Sequence, residues 1–221
     1  MPSLPLFPLG SVLFPGARLP LQLFEARYLE LARTLAQQDP DARRFGVLLI
    51  RQGHEVGPES VRDLHGIGCE ARVDAMALAD SSIGTMVHLV ATGVRRFSLD
   101  AVDDLAGTPY TTGRVSWLGE PAAGGDQEVV ALVERALREH AAYLERLGAD
   151  AEPVEAPPGQ VAYRLAERMV LDPSDRQRVL DGPDAATRLR TVLALLRREA
   201  AIVDRFGAVP TPPRPSGASL N

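Results

Sequence analysis

The residues of this 221-residue chain that could do chemistry are few, and their spacing does not serve it. Four histidines, His54, His65, His88 and His140, and one cysteine, Cys69, are the candidates for metal ligation, and none stands in an HExxH or comparable ligand spacing. His54 and His65 share an acidic loop with Glu55, Glu59 and Asp63, which reads as solvated loop. His88 sits in an apolar run and reads as a hydrogen-bonded core imidazole. No serine occupies a GxSxG elbow. The chain has no lysine, all 24 of its Lys+Arg residues being arginine. A phosphate-binding P-loop, a serine–lysine dyad and Schiff-base catalysis each need one, so all three are excluded by their known routes. Gly66 and Gly68 precede a strand pattern instead of a helix and form no phosphate cradle. No catalytic residue, metal site or cofactor is expected.

Arginine matters structurally. In VRRFSL, strand alternation places Arg95 with Phe97 and Leu99, and Arg96 with Val94 and Ser98 on the opposite face. If the first face is the core, Arg95 is half-buried and needs a carboxylate, for which Glu25 is the candidate. A second cluster, Leu13, Phe14, Pro15 and Gly16, puts large apolar groups at a turn. It either seals the end of a β-structure or exposes an apolar patch suited to polypeptide.

The elements that must position these groups are legible from periodicity. Prolines at 5, 8, 15 and 20 confine the opening apolar run to sheet edges and bends, with Pro15-Gly16 as a turn. Phe24, Tyr28, Leu31 and Leu35 recur at helical spacing, with Glu25 in the first turn. Residues 45–50, 67–73, 86–91, 94–99 and 110–118 read as strands, Cys69 on a dry face and Glu70 on a wet one. Short strands with few intervening helices indicate an antiparallel barrel or sandwich. PAAGG at 121–125 reads as a hinge, and helical periodicity follows. One stripe holds Val129, Val133, Leu137, His140, Leu144 and Leu147 and stops at Gly148. Further helices cover 160–171, a segment starting at Pro173 with Ser174 and Gln177 as a capping box, and one from Asp184 to Gly207. The expected domains are 1–120, 121–206 and a disordered tail, 207–221.

The apolar fraction of 45% and charged fraction of 24% are those of a globular protein, and one cysteine permits no intrachain disulfide. The net charge of −5, with neither half basic, weighs against a broad phosphate-binding surface. With no basic leader and no membrane-length apolar run, a cytoplasmic protein without membrane contact is expected.

The run from Leu4 to Leu31, then FGVLLIRQG at 45–53, IGCEARV at 67–73, VATGVRRFSL at 90–99 and the helical region at 165–199 closely resemble the LON substrate-binding domain, the amino-terminal domain of ATP-dependent Lon proteases. The resemblance covers roughly residues 3 to 206. It implies an α+β fold, an N-terminal PUA-like antiparallel β pseudo-barrel with one helix followed by a C-terminal helical subdomain. It also implies a non-enzymatic protein that binds unfolded polypeptide or a protein partner, with the ATPase and peptidase of longer members not carried over. Two alternatives stand beside it. One is an adaptor for a separate protease, and the other is a PUA-like RNA-binding module built on Arg43, Arg44 and Arg96 with Tyr110 or Trp117, which the charge disfavours. The oligomeric state is not legible.

Overall fold

The computed structural model describes residues 2–53, 61–81, 84–103, 105–120, 126–150 and 152–207, of which 61, 62, 80, 81 and 84 are described by backbone alone. The expected hinge at 121–125, His54, Glu55, Glu59 and all of the expected tail except Gly207 lie outside these residues. The chain forms two compact units that part between Leu118 and Gly119.

The first unit holds strands β1 (Ser3–Leu9), β2 (Arg18–Leu23), β3 (Arg44–Gly53), β4 (Val61–Leu64), β5 (Ile67–Ser81), β6 (Gly84–Val102) and β7 (Thr112–Trp117), with helix α1 (Ala26–Ala36) between β2 and β3. Their order is β1-β7-β6-β5-β3-β4, with β2 paired to β6 and β1 also paired, in parallel, to β3. What the pairings show of the implied pseudo-barrel is a sheet of seven strands, antiparallel except at β1–β3. Among the described residues β2 pairs only with β6 and β4 only with β3, so these two strands are appended to the other five, in which β1 meets both β7 and β3. β7 pairs with Ser3–Pro5 and β3 with Leu6–Leu9, so among the described residues Pro5 and Pro8 each have a ladder partner on one side, which a residue without an amide hydrogen tolerates.

Pro15 and Gly16 make the expected turn. The Ala17 amide donates to the Phe14 carbonyl at 3.0 Å, and Gly16 adopts φ +76°, a conformation that favours glycine. The turn is stitched to β6 at Gly93, whose carbonyl accepts from Gly16 at 2.7 Å and whose amide donates to Ala17 at 2.9 Å. The sheet packs on both sides. Leu4, Leu6, Leu48, Phe97 and Val115 form one cluster, and the Phe97 ring lies where side chains at Gly46 and Gly68 would stand, 2.7 Å from the position of a Cβ at either. On α1, Tyr28, Leu31, Ala32 and Leu35 are buried as the periodicity predicts, with Tyr28 stacked on Phe7 at 4.1 Å.

Where the sequence reads separate strands at 67–73, 86–91 and 94–99, the structure has two long ones. Skipped residues in the ladder at Asp74, Val94 and Asp100 let β5 and β6 continue through their breaks in alternation.

The second unit comprises α2 (Gln127–Arg146), α3 (Val161–Arg168), α4 (Pro173–Asp181) and α5 (Ala185–Phe206). Asp126, Asp172 and Asp184 cap α2, α4 and α5 by accepting from backbone amides. The cap of α4 is thus Asp172, and Gln177 instead donates to Asp181 at 2.7 Å. Gly148 at φ +67° and Gly207 at φ +78° follow the ends of α2 and α5. Arg188 on α5 is wholly buried. It donates to Glu120 at 2.5 Å and to the Gly182 carbonyl at 3.1 Å, with its guanidinium over the Tyr163 ring at 4.9 Å.

Candidate functional site

A largely apolar concavity of the first unit lies between α1 and the far part of the β5–β6 ribbon. Strand pairing aligns Leu21 of β2 with Leu89 of β6 and Met76 of β5, and Leu23 with Val87 and Leu78. This row is apolar on one face by period-2 alternation. Leu21, Leu23, Val87 and Leu89 are buried, whereas Leu78, at the outer side of the ribbon, is 80% exposed. The result is a groove of about 630 Å³, lined by Met76, Leu78 and Val87 of the ribbon and by Leu29, Ala32 and Ala36 of α1. That volume is in the range of small-ligand or side-chain sites. Leu78 and the groove together make a contiguous apolar face, and a patch of that kind, not one exposed leucine, marks an interaction site. Burying one leucine there is worth about 1.5–3 kcal/mol.

Arg33 and Arg43 stand at the rim. Arg33 pairs with Glu30. Arg43 donates to the carbonyls of Gln38 at 3.2 Å and Ala36 at 3.3 Å, satisfying the carbonyl end of α1. Among the described residues lining the groove Thr85 has the one hydroxyl and none is His, Cys, Asp or Glu, so its chemistry is mainly apolar contact. A second concavity of about 700 Å³ is more polar, formed by Glu25–Arg27, Val102, Asp103 and residues 106–112. Among the described residues no group of three His, Cys, Asp or Glu side chains is placed to hold a metal ion, and no helix is long and apolar enough to cross a membrane.

The residues singled out from sequence fall elsewhere. Leu13, Phe14 and Pro15 are buried and only Gly16 is exposed. They therefore seal the turn against β6 and present no apolar patch. The carboxylate that holds Arg95 is Glu70, at 2.8 Å, while Glu25 stands 3.0 Å from Arg27. The β5–β6 register explains the exchange of partner, because Glu70 and Arg95 are directly opposite each other. Glu70, expected on a wet face, is therefore buried, and the Arg95 guanidinium stacks on Trp117 at 3.7 Å. Arg96 and Tyr110 are buried, which takes two members of the possible RNA-binding patch off the surface. His88, expected in the core, is exposed on β6. His140 is buried, and burial lowers its pKa, helped by the nearby Arg168 charge. The groove itself escapes sequence reading. Its one signal is the apolar alternation of Met76 and Leu78 in AMALAD, past the point where a strand ending at Val73 had been expected.

Comparison with known proteins bears on this geometry. The family described as the ATP-dependent protease La (LON) substrate-binding domain matches residues 3–198. Lon protease 2 of Myxococcus xanthus is 30% identical over 208 residues, covering 90% of this chain and 24% of that protein. The Lon protease of Anaeromyxobacter dehalogenans is 30% identical over 209 residues, with the same two coverages of 90% and 24%. The chain thus spans about a quarter of the length of the curated relatives it matches. A crystal structure of a Lon N-terminal domain protein from Xanthomonas campestris superposes with TM-score 0.60 at 29% identity, over 88% of this chain and 98% of that one. The N-terminal domain of a Mycobacterium avium complex Lon protease shares the fold, with TM-score 0.63 at 16% identity over 89% and 98% of the two chains.

Proposed function

This chain belongs to the LON substrate-binding domain family, and on that premise we propose that it captures unfolded polypeptide, reversibly and without catalysis of its own, in the groove between α1 and the β5–β6 ribbon. The observation that carries the proposal is the largely apolar groove itself, where Leu29, Met76 and the 80% exposed Leu78 line one concavity. A client's apolar side chains would displace water from Leu78, Met76 and Leu29, and that burial is the source of affinity. The cost of ordering a flexible chain keeps the affinity modest.

The test is fluorescence anisotropy with a reduced, carboxymethylated protein that stays unfolded in buffer, titrated with this chain and with its Leu78→Asp variant. A carboxylate at that position forfeits about 2 kcal/mol of apolar burial, so binding should weaken by at least about tenfold. The helical circular dichroism should be unchanged, because Leu78 has almost no buried surface to lose. Equal binding by both proteins would sink the assignment to this groove. Recovery of one folded partner in stoichiometric amount would indicate an adaptor instead. Steeply salt-dependent binding of an RNA oligonucleotide, with none of the unfolded protein, would indicate a nucleic-acid module.

A further inference from the structure

Among the described residues the outer edge of β5 has no strand partner where the groove lies. β3 pairs with β5 only from Cys69 to Arg72, and the Val73 amide still donates to the Arg43 carbonyl at 3.1 Å. From Ala75 to Ser81 the ladder continues on the β6 side alone among the described residues. An edge of this kind presents alternate N–H and C=O groups in need of partners, and proteins ordinarily blunt it with lysine, proline or an inward charge. Here the stretch reads Ala-Met-Ala-Leu-Ala, with acidic residues only at its ends, Asp74 and Asp80.

We propose that a client is held as an added strand on this edge, so that the substrate class is extended chain with alternating apolar side chains. This rests on the polypeptide-binding function proposed above and specifies how the client lies. Backbone pairing supplies affinity that is indifferent to sequence, and alternate side chains drop onto Met76, Leu78 and the groove wall. A helix or a folded surface could fill the groove but would leave the edge amides and carbonyls unpaired.

Charge argues against a second copy of this chain as the occupant. In an antiparallel pairing of two copies centred on Ala77, the register sets Asp74 opposite Asp80 at both ends. Centred on Leu78 it sets Asp80 opposite Met76, and centred on Met76 it sets Asp74 opposite Leu78. Each arrangement opposes like charges or spends the apolar positions on carboxylates. A client with a basic residue at either end of an apolar stretch has neither defect.

The experiment uses the full chain and a fluorescein-labelled peptide of alternating valine and threonine with a lysine at each end. Two further forms carry backbone N-methyl groups, one at the valine amides and one at the threonine amides. In an added strand only one of these sets faces β5. We expect one methylated form to bind on the order of a hundredfold more weakly than the parent, through loss of several backbone hydrogen bonds, and the other to bind like the parent. Equal affinities for the two methylated forms overturn strand addition, while the groove reading survives if Leu78→Asp still weakens both. Failure of the parent peptide and of the unfolded protein to bind at all overturns the proposed function itself. A concentration-dependent dimer of the free chain that Leu78→Asp dissolves also overturns the proposal, because the edge would then serve self-association.

Discussion

Replacing Gly93 by alanine should unfold the first unit's sheet far more readily than any surface change, and the structure sets the magnitude. A Cβ at this position would stand 2.2 Å from the Phe14 carbonyl oxygen, 3.0 Å from its carbon and 3.1 Å from the Cys69 sulfur. Relief needs a displacement of about 1 Å, judged against ordinary non-bonded separations. Neither neighbour can give way cheaply. The Phe14 carbonyl accepts from Ala17, and the same turn is bonded in both directions to Gly93. Overpacking costs about 1–3 kcal/mol, and weakening the two bonds to the turn adds about 1 kcal/mol each. A loss of about 4 kcal/mol lowers a urea midpoint by roughly 2 M when the denaturant slope is about 2 kcal/mol per molar. The assay is intrinsic fluorescence, because the chain's single tryptophan, Trp117, lies in β7 against Phe97 and reports on this unit alone. Gly66→Ala is the control, since a Cβ there would meet no atom within 4 Å, and its midpoint should stay within about 0.5 kcal/mol of the parent. If the two variants unfold together near the parent midpoint, the turn is not locked to β6 as described.

Arg95→Ala should lower the same fluorescence midpoint by about 2 kcal/mol. It strands the Glu70 carboxylate, only 5% exposed, although the 45% exposure of Arg95 moderates the loss. In the second unit, Glu120→Ala leaves the wholly buried Arg188 guanidinium with carbonyl acceptors and a ring but no carboxylate from Glu120. A loss of about 3 kcal/mol by far-ultraviolet circular dichroism is expected, and an unchanged midpoint would show that the pair contributes nothing. His140 gives that unit a pH dependence. Burial lowers its folded-state pKa below the unfolded 6.5, so the unfolded chain binds the extra proton. Stability is therefore fully present above about 6.5 and falls as pH drops from there towards the folded value. The parent's midpoint should fall relative to that of His140→Leu as the pH is lowered from 7 to 5, and a constant difference would refute the assignment.

Much of the local structure was readable from the chain because it is set by neighbours in sequence. The buried face of α1 at Tyr28, Leu31 and Leu35, the Pro15-Gly16 turn, Pro173 at the first turn of α4, and Gly148 and Gly207 at helix ends each follow from 3.6-residue periodicity or from the backbone limits of proline and glycine. Strand lengths were less readable. Asp74, Val94 and Asp100 each break alternation by one residue, and only a neighbouring strand can absorb a break as a bulge. The groove was invisible for the same reason. It exists because β5 runs on past the last residue that β3 pairs, a comparison between elements far apart in the chain.

By itself the sequence determined that the chain is α+β, lacks every lysine-dependent chemistry, and carries the pattern of the LON substrate-binding family. Composition suffices for the missing lysine chemistry, while the α+β class and the family follow from the resemblance of the runs at 4–31, 45–53, 67–73, 90–99 and 165–199. Only the tertiary structure decided that Leu13 and Phe14 are core, that Arg95 meets Glu70 instead of Glu25, that Arg96 is buried, and that Leu78 faces water beside an apolar groove. Burial and partnership depend on which element arrives at the other side of a residue, and strand register sets that, so side chains of the same type in similar local patterns can end in the core or at the surface.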